Sequence, residues 1–167
     1  MSNKPISYLE FRKAAIRNLA ACEILLKNYH ELKPATQKHI LHKTYYLGGY
    51  VVEFLYKFSL FSHLNLSHSE DVYKFKDSDF QKKWKVHDYR QLNNLCEKEG
   101  LKFSTDIPFL GNNSLNKNIS ALFDSWDVQI RYSQNLCKKE IQLKHEDLIN
   151  FLNVIKDINN KINSTYS

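Results

Sequence analysis

The stretch that decides the fold is Tyr45-Tyr-Leu-Gly-Gly-Tyr-Val-Val-Glu53-Phe-Leu-Tyr-Lys57-Phe-Ser-Leu-Phe61, the most hydrophobic part of the chain. Its apolar residues cover nearly the whole circumference of a helix, which is typical of a helix at the centre of a protein. The stretch is shorter than the ~20 apolar residues that a membrane span needs, and Glu53 and Lys57 interrupt it. We therefore predict a central core helix in a cytoplasmic protein, with no membrane-spanning segment.

The segments around this stretch carry the period of amphipathic helices. Before it, apolar residues at steps of three and four predict a first helix from Ser7 to about Leu32. The central helix is expected to begin at Thr36 and to end near Leu64. The two predicted long helices therefore follow each other in the sequence and are joined by a short connection.

The chain after the central helix is expected to begin with an exposed connection. Polar, charged and aromatic residues alternate irregularly over residues 65–85, where we predict only a short helical turn around residues 69–75. A third helix is predicted to begin at Asp88 and to end at Gly100, because glycine is favoured just past a helix C-terminus.

The remaining sequence predicts two further helices. The fourth runs from Ser114 to about Trp126, and the fifth begins near His145, where the acidic residues that follow suit a helix N-terminus. Amphipathic helices joined by mostly short loops must bury their apolar faces against each other. We therefore predict an all-α antiparallel bundle of about five helices, with residues 1–167 in a single domain.

Composition and charge agree with a globular helical protein. The 167 residues are 43% hydrophobic and 25% charged, and the counts of glycine (4) and proline (3) are too low for a turn-rich β-sandwich or a glycine-rich nucleotide loop. The net charge of +6 favours an anionic partner. Cys22, Cys96 and Cys137 form no CxxC pair, so we expect a reduced, intracellular protein without a disulfide framework or a zinc site. We expect no other metal and no cofactor. The N-terminus has no apolar segment of the kind found in secretion signals.

Glu53 and Lys57 are unusual because they lie within the most hydrophobic stretch. Their spacing of four residues puts them on one face of the helix, in the favourable order for an ion pair. They could form a solvated pair on an outer face. If the helix is central, however, the carboxylate needs a cation or hydrogen-bond donors, and Arg131 is the most interesting candidate. We favour a structural role for Glu53, with direct contact to a ligand as the alternative.

Gly48 and Gly49 also lie inside the central helix. Each glycine costs about 1 kcal/mol relative to alanine in a helix, so the pair needs a reason. We predict the close approach of another helix, either within the bundle or across a dimer interface. A kink in the helix is the alternative.

The segment after the fourth helix contains Trp126, Arg131 and Tyr132. A guanidinium beside aromatic rings can bind a phosphate through two hydrogen bonds or stack on a ring, which a lysine cannot imitate. Alternatively, Arg131 fixes a loop by binding carbonyl oxygens or Glu53, and the residue types alone favour this structural role.

His87 and Asp88 precede the third helix. Asp88 is expected to cap the helix by accepting backbone N–H groups of its first turn, which leaves His87 able to orient a neighbouring side chain. A catalytic His–Asp couple would need a nucleophile beside it, and the sequence shows none, so we favour the cap.

Taken in order, these features resemble those of the HEPN domain family. The run from Tyr45 through Gly48-Gly49 to Glu53 and Lys57 resembles the second-helix signature of that family. His87-Asp88-Tyr-Arg-Gln-Leu92 is similar to its His-Asp-Leu-x-x-Leu segment. Arg131-Tyr132, with the upstream Trp126, is similar to the Arg-Tyr pair of one branch of the family. The order and spacing agree over nearly the whole chain.

The resemblance implies an all-α bundle that commonly forms a homodimer. HEPN proteins occur in prokaryotic toxin–antitoxin and defence systems, often encoded beside a minimal nucleotidyltransferase, and the family name refers to nucleotide binding. Some members are metal-independent ribonucleases that carry an arginine followed four to six positions later by a histidine. Here Arg131 is followed at those positions by Asn135, Leu136 and Cys137, so the proton-transfer group of that motif is missing.

Three functions follow from the residues and the resemblance. The first is a non-catalytic module that binds a nucleotide, RNA or a partner protein, with Arg131, Tyr132, Lys57 and Glu53 near the site. The second is a metal-independent ribonuclease toxin with a degenerate active site, in which Arg131 would be the catalytic residue. The third is a purely structural adaptor for a nucleotidyltransferase, in which Glu53 belongs to a core ion pair.

Overall fold

The computed structural model describes residues 5–101, 115–131 and 142–166, and these residues contain α-helices and no strand. The α-helices are α1 (Leu9–Lys27), α2 (Pro34–His63), α3 (Ser78–Trp84), α4 (Tyr89–Lys98), α5 (Lys117–Ser125) and α6 (His145–Thr165). Short 3-10 turns lie at Tyr29–Glu31, Val72–Lys74 and Val128–Arg131. The predicted all-α class is confirmed. No helix in these ranges is long and apolar enough to cross a membrane.

Helices α1 and α2 form an antiparallel pair. Near the start of α1, Phe11 packs against both Phe54 and Phe61, in the second half of α2. Near its end, the Cys22 thiol lies 3.5 Å from the carbonyl oxygen of Thr44, in the first half of α2. The first helix ends five residues earlier than predicted, because the chain tightens into the 3-10 turn at Tyr29–Glu31 before α2 begins.

Helix α2 is the central helix of the fold. It packs against α1, α4, α6 and the 3-10 turn at Val128–Arg131, so nearly every side of it is covered. This explains why its sequence is apolar almost all round, whereas the other long helices have a single apolar stripe. The buried side chains of the described residues form one hydrophobic cluster around it.

Helix α6 confirms its predicted start, and its buried residues form one apolar stripe. It begins at His145, and Glu146 and Asp147 lie in its first turn, at the positive end of the helix dipole. The buried residues of the stripe are Leu148, Phe151, Leu152, Ile155, Ile158 and Ile162. Helix α5 is shorter than predicted: it begins at Lys117 with Asn116 as its N-cap, and the predicted start at Ser114 lies outside the described residues.

The connection over residues 65–85 is mostly exposed, as predicted, but it also contains a helix and core residues that were not predicted. The 3-10 turn within it was predicted, but helix α3 was not, and Phe80 and Trp84 are buried in the core. The two aromatic residues are four positions apart, so one turn of helix directs both inward although charged residues surround them. Asp77 starts this helix by accepting the backbone N–H of Phe80 at 2.9 Å. The bundle therefore contains six helices in the described ranges, one more than expected.

At the two glycines of α2, side chains from other parts of the bundle pack directly against the helix backbone. A Cβ atom on Gly49 would lie 1.9 Å from Nε1 of Trp126, which is impossible without moving the indole. A Cβ atom on Gly48 would lie 2.8 Å from a ring carbon of Phe151 in α6. The predicted close approach is confirmed, and it occurs within the bundle.

We predict unequal effects for alanine at these two positions. Gly49→Ala should lower the free energy of unfolding by about 2 kcal/mol, because the gain in helix propensity is smaller than the cost of displacing Trp126. Gly48→Ala is the comparison variant and should be destabilised less, by about 1 kcal/mol, since its Cβ atom would be crowded at 2.8 Å by one ring carbon of the buried Phe151 and not by three atoms of an indole. Urea denaturation measures both. Equal stability of the two variants would contradict this account of Gly49.

Candidate functional site

Glu53 is a buried carboxylate in the middle of α2. It is 1% exposed, and its Oε1 lies 2.7 Å from Nζ of Lys57, which is 4% exposed. The ammonium group also lies 5.6 Å from the ring centroid of Trp84. The pair is therefore internal, and the alternative of a solvated pair on an outer face was wrong. The expectation that a central carboxylate must find a cation is confirmed, with Lys57 as that cation.

His87 is the second partner of Glu53. Its Nδ1 lies 2.9 Å from Oε2 of Glu53, while 47% of its side chain is exposed to solvent. An ionised carboxylate only accepts hydrogen bonds, so Nδ1 must carry a proton and donate it. In the neutral ring, Nε2 is then an acceptor on the opposite edge. The sequence pointed to Arg131 as the partner of Glu53, and the structure instead assigns Lys57 and His87 to its two oxygens.

The position of His87 is fixed by the start of α4. Oδ1 of Asp88 accepts the backbone N–H of Arg90 at 2.8 Å and that of Gln91 at 3.1 Å. The predicted helix cap is confirmed. Since His87 immediately precedes this cap, its backbone is held at the end of an ordered helix, directly beside α2.

Trp126 joins the segment after α5 to both α2 and α4. Its ring stacks on Tyr89 with centroids 4.9 Å apart and an interplanar angle of 4°. Its Nε1–H donates to the carbonyl oxygen of Tyr46 at 3.3 Å. Tyr89 in turn donates its hydroxyl to the carbonyl oxygen of Gly49 at 2.5 Å. Trp126 is thus a structural residue, and the missing side chain of Gly49 makes room for it.

Tyr50 is half-buried at the place where these groups meet. Its ring lies edge-on to Trp126, 5.2 Å between centroids, and edge-on to His87 at 6.1 Å. Burial raises the pKa of the Tyr50 phenol, and a hydrogen bond with Tyr46 adds to this effect. The negative charge of Glu53 acts in the same direction, whereas the positive charge of Arg131 acts in the opposite one, so Arg131 lies within electrostatic reach of Tyr50.

Arg131 ends the 3-10 turn at Val128–Arg131 and is exposed. Asp127 starts this turn by accepting the backbone N–H of Gln129 at 2.8 Å, and Ile130 anchors it in the core. We call Tyr50, His87 and Arg131 the Tyr50 surface. The predicted site residue Tyr132 lies outside the described residues.

The structure separates the predicted site residues into two groups. Glu53 and Lys57 are internal, and Glu53 contacts the half-exposed side chain of His87. Arg131 and His87 are accessible to solvent and both lie near Tyr50. Where the chain is described, no group of three or more histidine, cysteine, aspartate or glutamate side chains could hold a metal ion.

A row of aromatic residues on α2 was not predicted from the sequence. Tyr46, Tyr50 and Phe54 are each half-buried, and neighbouring rings lie 5.0 and 5.7 Å apart. Nζ of Lys43 lies 5.1 Å from the ring centroid of Tyr46. Their regular spacing of four residues indicates one side of a helix. Because the surrounding residues are also apolar, the sequence does not distinguish the three rings from buried core residues.

No family model, curated protein or solved structure matches the chain. The resemblance to HEPN domains therefore stays a prediction that rests on the residues quoted above.

We predict that removing one member of the buried pair is far more harmful than removing both. Lys57→Met should lower the free energy of unfolding by about 3–5 kcal/mol, because Glu53 loses its ammonium partner in the core and retains only His87. The double variant Glu53→Met/Lys57→Met should recover most of this loss, since no buried charge is left.

The matched control is Lys13→Met, which removes an exposed ion pair with Glu10 on α1. Its unfolding midpoint in urea should hardly change, because exposed pairs contribute little. A Lys57→Met protein as stable as the parent would show that Glu53 does not depend on Lys57.

Proposed function

We propose that this chain is a non-catalytic, HEPN-like module of a prokaryotic toxin–antitoxin or defence system, and that it binds a nucleotide or RNA at the Tyr50 surface. The observation that carries the proposal is that an exposed arginine ends a turn packed against α2, and that a half-exposed histidine lies edge-on to one half-buried tyrosine of that helix. A guanidinium supplies paired N–H donors that match a phosphate, and an aromatic ring can contact a base.

The charges near the Tyr50 surface agree with an anionic ligand. Glu53 is the acidic side chain bound to His87, and its charge is already balanced by Lys57 inside the protein. A phosphate bound by Arg131 therefore meets a neutralised pair, not an unbalanced carboxylate, at Glu53. The net charge of +6 also favours the approach of a polyanion.

The absence of a histidine at positions 135–137 supports binding without catalysis. In the HEPN ribonucleases that the chain resembles, the motif histidine follows the arginine closely in sequence. Here Asn135, Leu136 and Cys137 occupy those positions, and none of them transfers protons near neutral pH as a histidine does.

A metal-independent ribonuclease is the second candidate, and the contact between Glu53 and His87 favours it. A carboxylate that binds Nδ1 orients the imidazole and leaves Nε2 as a base. His87 could then take the proton of a ribose 2′-hydroxyl as the 2′-oxygen attacks phosphorus. The bond between phosphorus and the 5′-oxygen would break, and the leaving 5′-oxygen would take a proton from solvent water. The products would be a 2′,3′-cyclic phosphate and a 5′-hydroxyl end, with Arg131 balancing the charge on the phosphate.

A structural adaptor is the third candidate. The burial of Glu53 and Lys57 favours a purely structural role for this pair. Partnership with a minimal nucleotidyltransferase and assembly into a homodimer are proposals that rest on the resemblance alone.

The proposed binding function predicts a specific loss of affinity in Arg131→Ala. Fluorescence anisotropy with a labelled 20-nucleotide RNA should show binding to the parent protein and at least about tenfold weaker binding to the variant, since a charged hydrogen bond to phosphate is lost. Arg17→Ala removes an exposed arginine from α1 and serves as the charge-matched control, with affinity near that of the parent. No binding by the parent, or equal binding by both variants, would reject the proposed site.

Cleavage of RNA separates the first candidate from the second. We expect the purified protein to leave labelled RNA intact in the presence of EDTA. Cleavage that produces 2′,3′-cyclic phosphate ends and that is lost in both His87→Ala and Arg131→Ala would instead establish the ribonuclease. The circular dichroism spectrum of each variant shows whether its helices remain folded.

A further inference from the structure

His145, the first residue of α6, lies at one end of the bundle beside side chains from a distant part of the chain. Its ring stacks on that of Tyr29, with centroids 4.3 Å apart and an interplanar angle of 12°. The ring of His30 is nearly perpendicular to the same imidazole, with centroids 4.6 Å apart. These contacts join the start of α6 to the 3-10 turn at Tyr29–Glu31, which follows α1.

The 3-10 turn at Tyr29–Glu31 is only weakly anchored to the bundle. None of its three residues is buried. Besides the ring contacts, the side-chain amide of Gln37 in α2 donates to the carbonyl oxygen of Tyr29 at 3.1 Å. A segment with so little buried surface opens at a low cost in free energy, whereas the apolar stripe of α6 is buried in the core. The contact with His145 can therefore open while the rest of the bundle stays folded.

A proton on His145 is unfavourable in this position for three reasons. Both nitrogens of a charged ring carry protons, but Nε2 of His145 is buried and has no hydrogen-bond partner among the described residues. The imidazole of His30 faces the ring, so a proton on each would place two positive charges side by side. The ring also lies at the N-terminus of α6, the positive end of the helix dipole.

These surroundings determine how the contact depends on pH. Burial lowers the pKa of His145, and the charge of His30 adds to this effect, while the carbonyl group of Leu26 acts in the opposite direction. In an open form, a solvated histidine has its ordinary pKa of about 6.5. The closed contact therefore binds a proton more weakly than the open form. It has its full stability above about pH 6.5 and loses stability as the pH falls below that value.

Other charged and titratable side chains also lie at this end of the bundle. Carboxylates attract a proton to the imidazole and ammonium groups repel it, but histidine is the side chain whose ordinary pKa puts its change of charge between pH 5 and 8. The groups concerned are Lys27 in α1, Glu31 in the 3-10 turn, Lys33, Lys38, His39 and His42 at the start of α2, Lys117 at the start of α5, and Lys144, Glu146 and Asp147 beside His145.

We infer that the contact of His145 with Tyr29 and His30 is a pH-sensitive device. The neutral imidazole holds the first turn of α6 against the 3-10 turn that follows α1, and a protonated imidazole releases the two segments from each other. The inference is independent of the proposed binding function, because none of these three residues belongs to the Tyr50 surface.

Hydrogen exchange followed by NMR on the full chain tests the inference. The reporter is the backbone N–H of Leu148, which donates to the carbonyl oxygen of Lys144 at 3.1 Å in the first turn of α6. Its protection factor should fall about fivefold to tenfold between pH 7.5 and pH 5.5, because the open form gains a proton over this range. The N–H of Ile158, in the buried stripe, should be protected at least about tenfold more strongly at both pH values, since local opening does not expose it.

Two variants assign the effect to one imidazole. His145→Phe keeps an aromatic ring on Tyr29 but cannot gain a proton, so the protection factor of Leu148 should differ by less than about twofold between the two pH values. His68→Phe is the matched control, because His68 is another histidine whose ring contacts a tyrosine, 5.5 Å from Tyr8 between centroids. This control should keep the fall seen in the parent.

Three results would overturn the inference. They are a protection factor of Leu148 that does not fall in the parent, a fall that persists in His145→Phe and thus belongs to a group such as His39 or His42, and equal protection of Leu148 and Ile158, which would show that the bundle opens only as a whole. If His145→Phe does not fold, NMR titration of the His145 ring in the parent decides. A midpoint below about pH 6.5 is expected, and a midpoint above it would contradict the inference.

Discussion

The site depends on the contacts made by Glu53, a carboxylate in the middle of α2 that has no access to water. Burial of this charge is tolerated because each oxygen has its own partner. Lys57 comes from the next turn of the same helix, so its position follows from helix geometry alone. His87 comes from another part of the chain, and its contact with Glu53 joins the start of α4 to the centre of α2. The same contact connects the core to an exposed imidazole.

The shape of α2 imposes a second constraint. Because Gly49 has no side chain, Trp126 lies directly against the helix, and this places the following turn at Val128–Arg131 beside Tyr50. A central helix would normally contribute only to the core. Here one side remains partly open between α4 and that turn, and the open side carries aromatic rings. Gly49 and Glu53, which stabilise the bundle, are therefore close neighbours on α2 of Tyr50, which belongs to the candidate site.

Local features of the structure could be predicted from the sequence, and contacts between distant segments could not. The central helix, the Asp88 cap and the start of α6 all depend on residues within a few positions of each other, which is why periodicity and capping rules identified them. His87 and Glu53 are 34 positions apart in the sequence, and no periodic pattern predicts their contact. Helix α3 was missed because only two of its residues face the core, and aromatic residues in a charged segment show no apolar stripe.

The tautomer of the His87 imidazole tests the link between the core and the surface most directly. Nitrogen-15 NMR of the folded protein, at a pH where the ring is neutral, distinguishes a proton on Nδ1 from one on Nε2. If Glu53 accepts a hydrogen bond from His87 as the structure indicates, the proton lies on Nδ1 and Nε2 is free to accept one. A ring protonated on Nε2 would contradict this account, because Glu53 would then lack the donor that its second oxygen requires.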